Sequence, residues 1–487
     1  MKKDFLRRSI FYRHRVLWGF IAFSVFAVLF AGYNFWQLPA GLTESEMSAA
    51  AISGHWSPFA LSISPEQLVN LPWNFLQSIS IGIFGLSTFS IRLPAVVLMC
   101  LAAMVMFFLI KKWSRFSLAM IGGFLMITSV LFISLARNGT PASAVLFLMT
   151  LALAAATTVV IDKRPPFIYL TAKIIVGVCL ALLIYFPGGM YITAAIVLAG
   201  LLHPKVRLLL VRTKTWKMLL AGLLGLVLLL PLILTISLRW HDGGSAAIST
   251  LLLFDGQWSI ANLATSLDAL FGVQSGLNHG VITPIITIVG LLLVVLGILR
   301  ALADASSARS YLVLSALVMA VMASWRQPGL AYLFFLPIVL LTALGMEVLI
   351  SKWYSLFPRN PYARGIAVVM LSVLVTTLSF TSLNMYLSTQ NYNSAVVYGY
   401  NLEFRLARQE VRQRSQDNLT LVVSDDQLEF YKLLQNDFPH LTVTNKLPKD
   451  QPTTLVLASS GLVKAKQLPA KIITSWHSID PVLIRVY

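Results

Sequence analysis

The sequence has few charged residues and almost no cysteine. Only 11% of its 487 residues are Asp, Glu, Lys or Arg, whereas 57% are hydrophobic. With a mean hydropathy of +0.78, this composition excludes an ordinary soluble fold and indicates a membrane protein. Cys100 and Cys179 both fall in apolar runs. They therefore predict neither a disulfide framework nor a cysteine metal site.

The long apolar runs are predicted to cross the membrane. Each helical crossing needs roughly 20 apolar residues to traverse about 30 Å of hydrocarbon. About eleven runs meet this requirement, and they lie near residues 17–37, 93–110, 116–135, 142–161, 167–186, 188–203, 218–238, 281–299, 310–325, 329–350 and 365–386.

The net charge of +18 is distributed in a way that predicts orientation. With a cytoplasmic N-terminus, the segments on the cytoplasmic side hold 21 Lys and Arg, whereas the outer loops hold four. A missed or additional helix would destroy this asymmetry, so the count favours eleven spans. Because topology explains the charge, nucleic acid is excluded as a necessary partner. Residues 1–36 could alternatively be a secretory signal, but the long apolar run favours an uncleaved first helix.

The predicted fold class is an all-α polytopic membrane protein with a small extracytoplasmic α/β domain at its C-terminal end. Residues 1–387 form the transmembrane domain, with long outer loops at 38–92 and 239–280. In residues 388–487 the apolar runs shorten and charged residues return. Five short strands are expected there, near residues 419–423, 441–444, 454–458, 471–476 and 481–486, with a helix over 426–435 capped by Ser424 or Asp425.

Two segments of the first outer loop are predicted to form helices that lie on the bilayer surface. Thr43 and Glu46 have the spacing of a capping box, which starts a short helix. Further on, Phe75, Ile79 and Ile83 recur at helical spacing after Pro72. Such a segment would place its apolar face against lipid.

Outer-loop carboxylates are the candidates for general-base chemistry. There are only six, namely Glu44, Glu46, Glu66, Asp242, Asp255 and Asp268. Glu44 and Glu46 come soon after the first span, near the bilayer surface, where a carboxylate could accept a proton from an attacking hydroxyl. The alternative is that Glu46 only completes the capping box and Glu44 is solvated.

Three outer-side arginines are candidates for binding a phosphate group. Arg92, Arg137 and Arg326 each adjoin a predicted span. A guanidinium can bind phosphate through two parallel N–H groups, whereas lysine acts as a point charge. The alternative is that each arginine snorkels to the interface or caps a helix.

A divalent metal is a weaker hypothesis. His55, His241 and His279 lie in the long outer loops and could join a glutamate around a metal ion. However, the sequence has no HxxH, HExxH or DxD spacing, so no cofactor is firmly predicted.

The first outer loop resembles that of GT-C glycosyltransferases of the protein O-mannosyltransferase and aminoarabinose-transferase type. That family shows P-x-G-L-x-x-D-E, then P-P-L, then F-G-x-S-x-x-x-x-R-L-P. The matching stretches here begin at Pro39 (PAGLTESEM), Leu71 (LPWNFL) and Ile83 (IFGLSTFSIRLPA). The resemblance is clear over about residues 15–160, and further on it rests mainly on the helix layout.

The resemblance implies an enzyme that transfers a sugar from a polyprenyl-phosphate carrier to an acceptor at the outer membrane face. The family's acidic pair falls on Ser45 and Glu46, so the first acid is missing and Glu44 would substitute for it. Arg92 is retained. The P-P-L motif is reduced, which leaves Pro72 and Asn74 as its substrate-binding counterparts. A second family acid falls near Ala142, so it is missing too.

Three functional hypotheses follow. The first is an active membrane glycosyltransferase of the cell envelope, in the plasma membrane, with Glu44 or Glu46 as base and Arg92 or Arg137 near the carrier phosphate. Its acceptor could be a protein, a lipid or a glycan. The second is a non-catalytic GT-C-like protein that binds a lipid carrier or a partner, because two expected acids are absent. A transporter is less favoured, since the spans hold almost no ionisable residues.

Overall fold

The computed structural model describes most of the chain. The described residues are 14–39, 41–55, 63–161, 166–211, 215–254, 256–271, 286–357, 360–392, 400–414, 419–445, 454–457, 470–473 and 483–486. The main helices up to residue 211 are α1 (Arg15–Gly32), α2 (Glu44–Gly54), α3 (Pro65–Leu68), α4 (Leu71–Phe84), α5 (Thr88–Trp113), α6 (Phe116–Ile127), α7 (Val130–Arg137), α8 (Ala142–Ile161), α9 (Pro166–Leu183), α10 (Gly189–Leu202) and α11 (Pro204–Val211). They are followed by α12 (Thr215–Leu238), α13 (Ser245–Leu252), α14 (Ile260–Phe271), α15 (Ile288–Ala303), α16 (Ala308–Arg326), α17 (Phe335–Leu356) and α18 (Pro361–Tyr392).

Six helical segments in the described residues are long and apolar enough to cross a membrane. The paired helices α6 and α7 provide a seventh crossing if they are counted as one bent span. Four further apolar helices, within α9, α10, α12 and α15, are only 10 to 17 residues long. Each of the eleven predicted runs overlaps one of these helices. The chain is therefore polytopic, and the number eleven stays a prediction.

The third predicted crossing, residues 116–135, is not one straight helix. It bends by 59° between α6 and α7. The side chain of Ser129 accepts a hydrogen bond from the backbone N–H of Phe132, which starts a new helix at this point. Because an N-cap supplies a partner for an otherwise unbonded N–H, the bend is stabilised locally.

Both predicted surface helices of the first outer loop are confirmed as helices. The capping box of Thr43 and Glu46 starts α2. In α4 the apolar side chains of Phe75, Ile79 and Ile83 are 41%, 39% and 68% exposed, while the polar side chain of Gln77 is buried. An apolar face turned outward and a polar face turned inward suit a helix whose outer side meets lipid.

The C-terminal part is a small α/β unit. It contains α19 (Glu403–Gln413), β1 (Leu419–Val422), α20 (Leu428–Lys432), α21 (Leu434–Asp437), β2 (Leu441–Thr444), β3 (Thr454–Leu457), β4 (Ala470–Ile473) and β5 (Leu483–Val486). The strand order is β2-β1-β3-β5-β4. β1 is parallel to both β2 and β3, whereas β5 is antiparallel to β3 and β4. All five predicted strands are present.

The predicted helix over residues 426–435 is wrong in detail. A 3₁₀ turn at Asp425–Gln427 comes first, and two short helices, α20 and α21, follow it. The Ser424 side chain makes no capping hydrogen bond. Helix α19, which was not predicted, precedes the sheet and buries Phe404, Ala407 and Val411.

The C-terminal unit shares a hydrophobic core with the first outer loop. Met47 and Ala50 of α2, together with Leu86, pack in one cluster with Phe404 and Tyr431 of the C-terminal unit. Two backbone hydrogen bonds, of 3.1 and 2.7 Å, also join Leu42 to Asn401. The first outer loop and the C-terminal unit therefore lie together at the same end of the helical bundle.

Candidate active site at the first outer loop

Glu46 and Arg92 form a buried ion pair at the start of α2. Arg92 Nε lies 2.8 Å from Glu46 Oε1, and Nη2 lies 3.0 Å from Oε2. Both side chains are fully buried. Arg92 lies in the first turns of α5, so the pair fastens the first outer loop to a membrane helix. The two-point geometry is the arrangement that a guanidinium and a carboxylate make best.

The Glu46 carboxylate has no acceptor capacity left. Besides Arg92, it accepts the backbone N–H of Thr43 at 2.9 Å and that of Gly139 at 2.7 Å. Four hydrogen bonds saturate a carboxylate. Glu46 thus joins three segments of chain, and in this arrangement its oxygens do not face a reacting hydroxyl.

The hydrogen-bond donors of Arg92 are also fully used. Its Nη1 donates to the carbonyls of Phe35 at 3.2 Å and Pro39 at 2.8 Å, and its Nη2 also donates to the carbonyl of Gly41. With the two bonds to Glu46, all five N–H groups of the guanidinium are used. Arg92 therefore holds the turn between α1 and α2 and offers no N–H group to a phosphate.

Gly139 reaches Glu46 because it has no side chain. A Cβ at this position would lie 2.7 Å from a side-chain carbon of Ile91 and 2.8 Å from its carbonyl oxygen. No real Cβ occupies such a space, so only glycine lets this backbone approach α5. No sequence motif predicted this contact.

Glu44 is the first residue of α2 and its side chain is exposed. It lies two residues from Glu46, and the ion pair fixes the helix that carries it. A carboxylate in the first turn of a helix is favoured by the helix dipole. Of the two predicted bases, Glu44 is the one whose side chain is accessible.

Arg137, the last residue of α7, is buried but only partly hydrogen-bonded. Its Nη2 donates to the carbonyl of Phe30 at 3.0 Å, and its guanidinium lies 5.3 Å from the ring centre of Tyr386 in α18. Its Nε and Nη1 have no hydrogen-bond partner among the residues that the structure describes. The same holds for the Tyr386 hydroxyl. A buried guanidinium with two unpartnered nitrogen atoms is costly unless an anion bonds to them.

The residues around Arg137 and Glu46 belong to one buried polar cluster. Gly139, which donates to Glu46, is two residues from Arg137. Between them, Asn138 Oδ1 lies 3.4 Å from the hydroxyl of Tyr400. Burial, with smaller contributions from Tyr386 and Glu46, raises the pKa of Tyr400, so this phenol stays neutral and can donate. No sequence motif pointed to Tyr386 or Tyr400.

The side chain of Asn74 connects α3 and α4 of the first outer loop. Its amide nitrogen donates to the carbonyls of Gln67 at 3.0 Å and Val69 at 2.9 Å, which fixes the junction of α3 and α4. Both protons of the amide group are therefore used.

Pro72, at the start of α4, lines an apolar groove of about 490 Å³. Tyr185 also lines the groove, and its hydroxyl donates to the carbonyl of Leu228 at 2.7 Å. The remaining lining residues are apolar, namely Leu71, Phe75, Leu76, Leu98, Ala144, Phe147, Leu148, Leu182, Val227, Leu228 and Pro231. The groove thus has an apolar wall made by α4, α5, α8, α9 and α12.

Arg326 makes its contacts with the second outer loop. Its guanidinium donates to the carbonyls of Leu253 and Phe254 in the second outer loop, and it lies 5.4 Å from the ring centre of Trp258. These contacts attach the loop to the end of α16. These contacts of Arg326 involve no residue of the cluster around Glu46 and Arg137.

No group of three or more His, Cys, Asp or Glu side chains in the described residues could hold a metal ion. His241 is exposed, and His279 lies outside the described residues. A divalent metal at the outer loops therefore stays a prediction.

The chain is a polytopic membrane protein with the fold of GT-C glycosyltransferases. Residues 71–234, about a third of the chain, match the family model of dolichyl-phosphate-mannose-protein mannosyltransferases. No curated protein matches the chain in sequence.

One similar solved structure is ArnT from Cupriavidus metallidurans bound to undecaprenyl phosphate. The two chains are 13% identical with a TM-score of 0.57, and the match covers 96% of this chain and 97% of that one. The oligosaccharyltransferase of Archaeoglobus fulgidus, tethered with an acceptor peptide, has 13% identity and a TM-score of 0.56. That match covers 89% of this chain but only 64% of the archaeal one. A further structure of the archaeal enzyme, AglB in complex with an inhibitory peptide and a dolichol-phosphate, has 14% identity and a TM-score of 0.53, with coverage of 91% of this chain and 62% of that one. The predicted resemblance to the protein O-mannosyltransferase and aminoarabinose-transferase type is confirmed, and at these identities the structural likeness is one of fold.

Proposed function

We propose that the protein is a membrane glycosyltransferase that moves a sugar from a polyprenyl-phosphate carrier to an acceptor at the outer membrane face. The observation that carries the proposal is Arg137, whose buried guanidinium has two nitrogen atoms, Nε and Nη1, without a hydrogen-bond partner in the described residues. Unpaired N–H groups of a guanidinium can donate to the oxygens of a phosphate. A carrier phosphate bound here would remove the cost of leaving this charge buried and incompletely bonded.

The apolar groove beside Pro72 is suited to the isoprenoid part of such a carrier. It has a volume of about 490 Å³ and an almost wholly apolar wall. Pro72 and Phe75 belong to the surface helix α4, so the groove opens where a lipid could enter from the bilayer. ArnT, a protein of the same fold, has been solved with undecaprenyl phosphate, which supports a lipid carrier as the donor.

Glu44 is the proposed general base. In the reaction, the acceptor hydroxyl attacks the anomeric carbon of the sugar and the bond from that carbon to the phosphate oxygen breaks. The hydroxyl proton passes to Glu44, and the phosphate leaves with the bonding electrons and is stabilised by Arg137. Glu46 and Arg92 act as positioning residues, because their ion pair fixes α2 and Gly139 connects it to the end of α7.

The proposed topology places this site outside the cytoplasm. Eleven crossings with a cytoplasmic N-terminus would bring the first outer loop and the C-terminal unit to the outer face, in agreement with their shared core. We propose the plasma membrane as the location, and a domain division near residue 387. The C-terminal unit would then lie beside the acceptor, which could be a protein, a lipid or a glycan.

The test is turnover by the purified protein with undecaprenyl phosphate carrying mannose or aminoarabinose. Glu44→Gln keeps the side chain's size and removes the base, so we expect sugar release to fall by about 10²-fold or more. Glu66→Gln is the matched control, since Glu66 is also an exposed outer-loop carboxylate in the first turn of a helix. Equal turnover in the two variants would remove Glu44 from the mechanism.

A second candidate function is non-catalytic binding of the lipid carrier or of a partner. The specific observation in its favour is that Ser45 occupies the position of one family acid, while Glu46 is saturated by hydrogen bonds. Binding of undecaprenyl phosphate that depends on Arg137, without release of either sugar by the native protein, would favour this candidate.

A further inference from the structure

Helix α19 of the C-terminal unit carries a row of three arginines beside its buried side. Arg405, Arg408 and Arg412 are spaced by three and four residues, which places them on one face of the helix, called here the arginine face. Arg405 and Arg412 are exposed, and Arg408 is partly buried. Partial burial lowers the pKa of Arg408, Asp437 opposes this effect, and the nearby Arg412 adds to it. The row is therefore a concentrated positive charge on the C-terminal unit.

The carboxylates of α19 do not neutralise this charge. Helix periodicity places Glu403 and Glu410 on the other flank of the buried side. There, Glu410 lies 3.9 Å from Arg414 Nε, and Glu403 accepts the side-chain amide of Asn401 at 3.2 Å. None of the three arginines forms an ion pair with a carboxylate in the part of the chain that the structure describes, although Asp437 lies near one of them. One acid against three cations leaves the arginine face positive.

Asp437 also connects this part of the C-terminal unit to the junction between α4 and α5. Its Oδ2 accepts the backbone N–H of Leu86 at 2.6 Å. Since Arg408 lies close enough to Asp437 for their charges to interact, the arginine face is next to the point where the surface helix α4 ends and the membrane helix α5 begins.

This junction lies at the level of the lipid headgroups. Helix α5 has 26 residues, and at 1.5 Å per residue its length of about 39 Å exceeds the hydrocarbon thickness of about 30 Å. At its start, the hydroxyl of Thr88 donates to the carbonyl of Trp36 at 3.1 Å. The side chains of Trp36 and Phe84 are 42% and 50% exposed, and exposed aromatic side chains are typical of the membrane–water interface. The arginine face is therefore near the headgroups.

We propose that the arginine face binds the headgroups of anionic phospholipids in the leaflet next to the first outer loop. A guanidinium donates well to phosphate oxygens, and cations near an anionic bilayer are attracted to its surface. Binding would hold the C-terminal unit against the bilayer at the end of α4. The proposal does not depend on the transferase activity, because no residue of the arginine face belongs to the candidate active site.

Hydrogen exchange of α19 in the full chain tests this surface. The protein is reconstituted in lipid nanodiscs of phosphatidylcholine alone, or of phosphatidylcholine and phosphatidylglycerol in equal parts. Local opening of α19 would separate its arginines from the headgroups, so headgroup binding should slow exchange. We expect the backbone amides of α19 to exchange roughly tenfold more slowly in the anionic discs at low salt, and the difference should shrink at high salt.

Two arginines at the end of α19 provide the matched comparison. Arg412→Gln removes an exposed cation of the arginine face, whereas Arg414→Gln removes one that lies beside Glu410 on the other flank. An arginine near an anionic bilayer contributes a factor of about five to binding, so Arg412→Gln should lower the ratio of the two exchange rates by about fivefold. Arg405→Gln combined with Arg412→Gln should abolish the difference between the discs, and Arg414→Gln should keep the wild-type ratio.

The ratio between the two kinds of disc separates headgroup binding from helix stability, because a change in helix stability alone alters exchange equally in both. Equal exchange of wild-type α19 in both discs, or the same loss in Arg412→Gln and Arg414→Gln, would overturn the proposal. Slower exchange caused by soluble polyglutamate in phosphatidylcholine discs, without any effect of phosphatidylglycerol, would overturn it in favour of a soluble acidic partner.

Discussion

Removing the charge of Glu46 should destabilise the protein far more than removing that of Glu44. In Glu46→Gln, the buried Arg92 loses its counter-ion, and the new amide N–H₂ would face the N–H of either Thr43 or Gly139. Breaking a buried ion pair from one side costs about 3–5 kcal/mol. A backbone N–H left without an acceptor adds about 1–3 kcal/mol. We therefore expect a loss of at least about 3 kcal/mol, measured as the unfolding free energy of the purified protein in detergent.

Two further variants make this prediction specific. Glu44→Gln changes an exposed side chain by the same atoms and should leave the unfolding free energy within about 0.5 kcal/mol of the wild type. In a double-mutant cycle with Arg92→Met, the two losses should be less than additive by about 2 kcal/mol or more. A Glu46→Gln protein as stable as the wild type, or strict additivity in the cycle, would refute the assignment of the ion pair as the support of α2.

Three other predictions concern Arg137 and the junction between Gly85 and Asp437. Arg137→Gln should weaken binding of undecaprenyl phosphate by at least about tenfold, and Arg137→Lys should restore only part of it because lysine keeps the charge but not the planar array of donors; unchanged affinity in a binding titration would contradict this role. Asp437→Ala should lower the unfolding free energy by about 1–3 kcal/mol, because Asp437 Oδ2 accepts the backbone N–H of Leu86 at 2.6 Å. Gly85→Ala should also destabilise, since Gly85 has a φ of +68° and its added Cβ would lie 2.8 Å from that same oxygen; a wild-type midpoint in both variants would show that this junction carries no stability.

The local parts of the fold were predictable from the sequence because their signals are short-range. Thr43 and Glu46 are three residues apart, so the capping box of α2 could be identified directly. Strand β2, Leu441–Thr444, alternates apolar and polar residues. Helix α19 could have been found too, since Phe404, Ala407 and Val411 recur at helical spacing.

The site was less predictable because its decisive contacts are long-range. Glu46 and Arg92 were both named as candidates, yet nothing in their surroundings in sequence indicates that they bond to each other across 46 residues. No motif marks Gly139, and its approach to α5 becomes apparent only when the two helices are in place. Tyr386 lies in a membrane helix without any motif. The tertiary arrangement alone distinguishes saturated Arg92 from incompletely bonded Arg137.

The most direct test of the central claim is an experimental structure of the protein with undecaprenyl phosphate. We predict a phosphate oxygen within hydrogen-bonding distance of Nε or Nη1 of Arg137, and an isoprenoid chain in the groove beside Pro72, with the Glu46 and Arg92 pair intact. A phosphate bound elsewhere, with Nε and Nη1 of Arg137 bonded to protein or water, would contradict the claim.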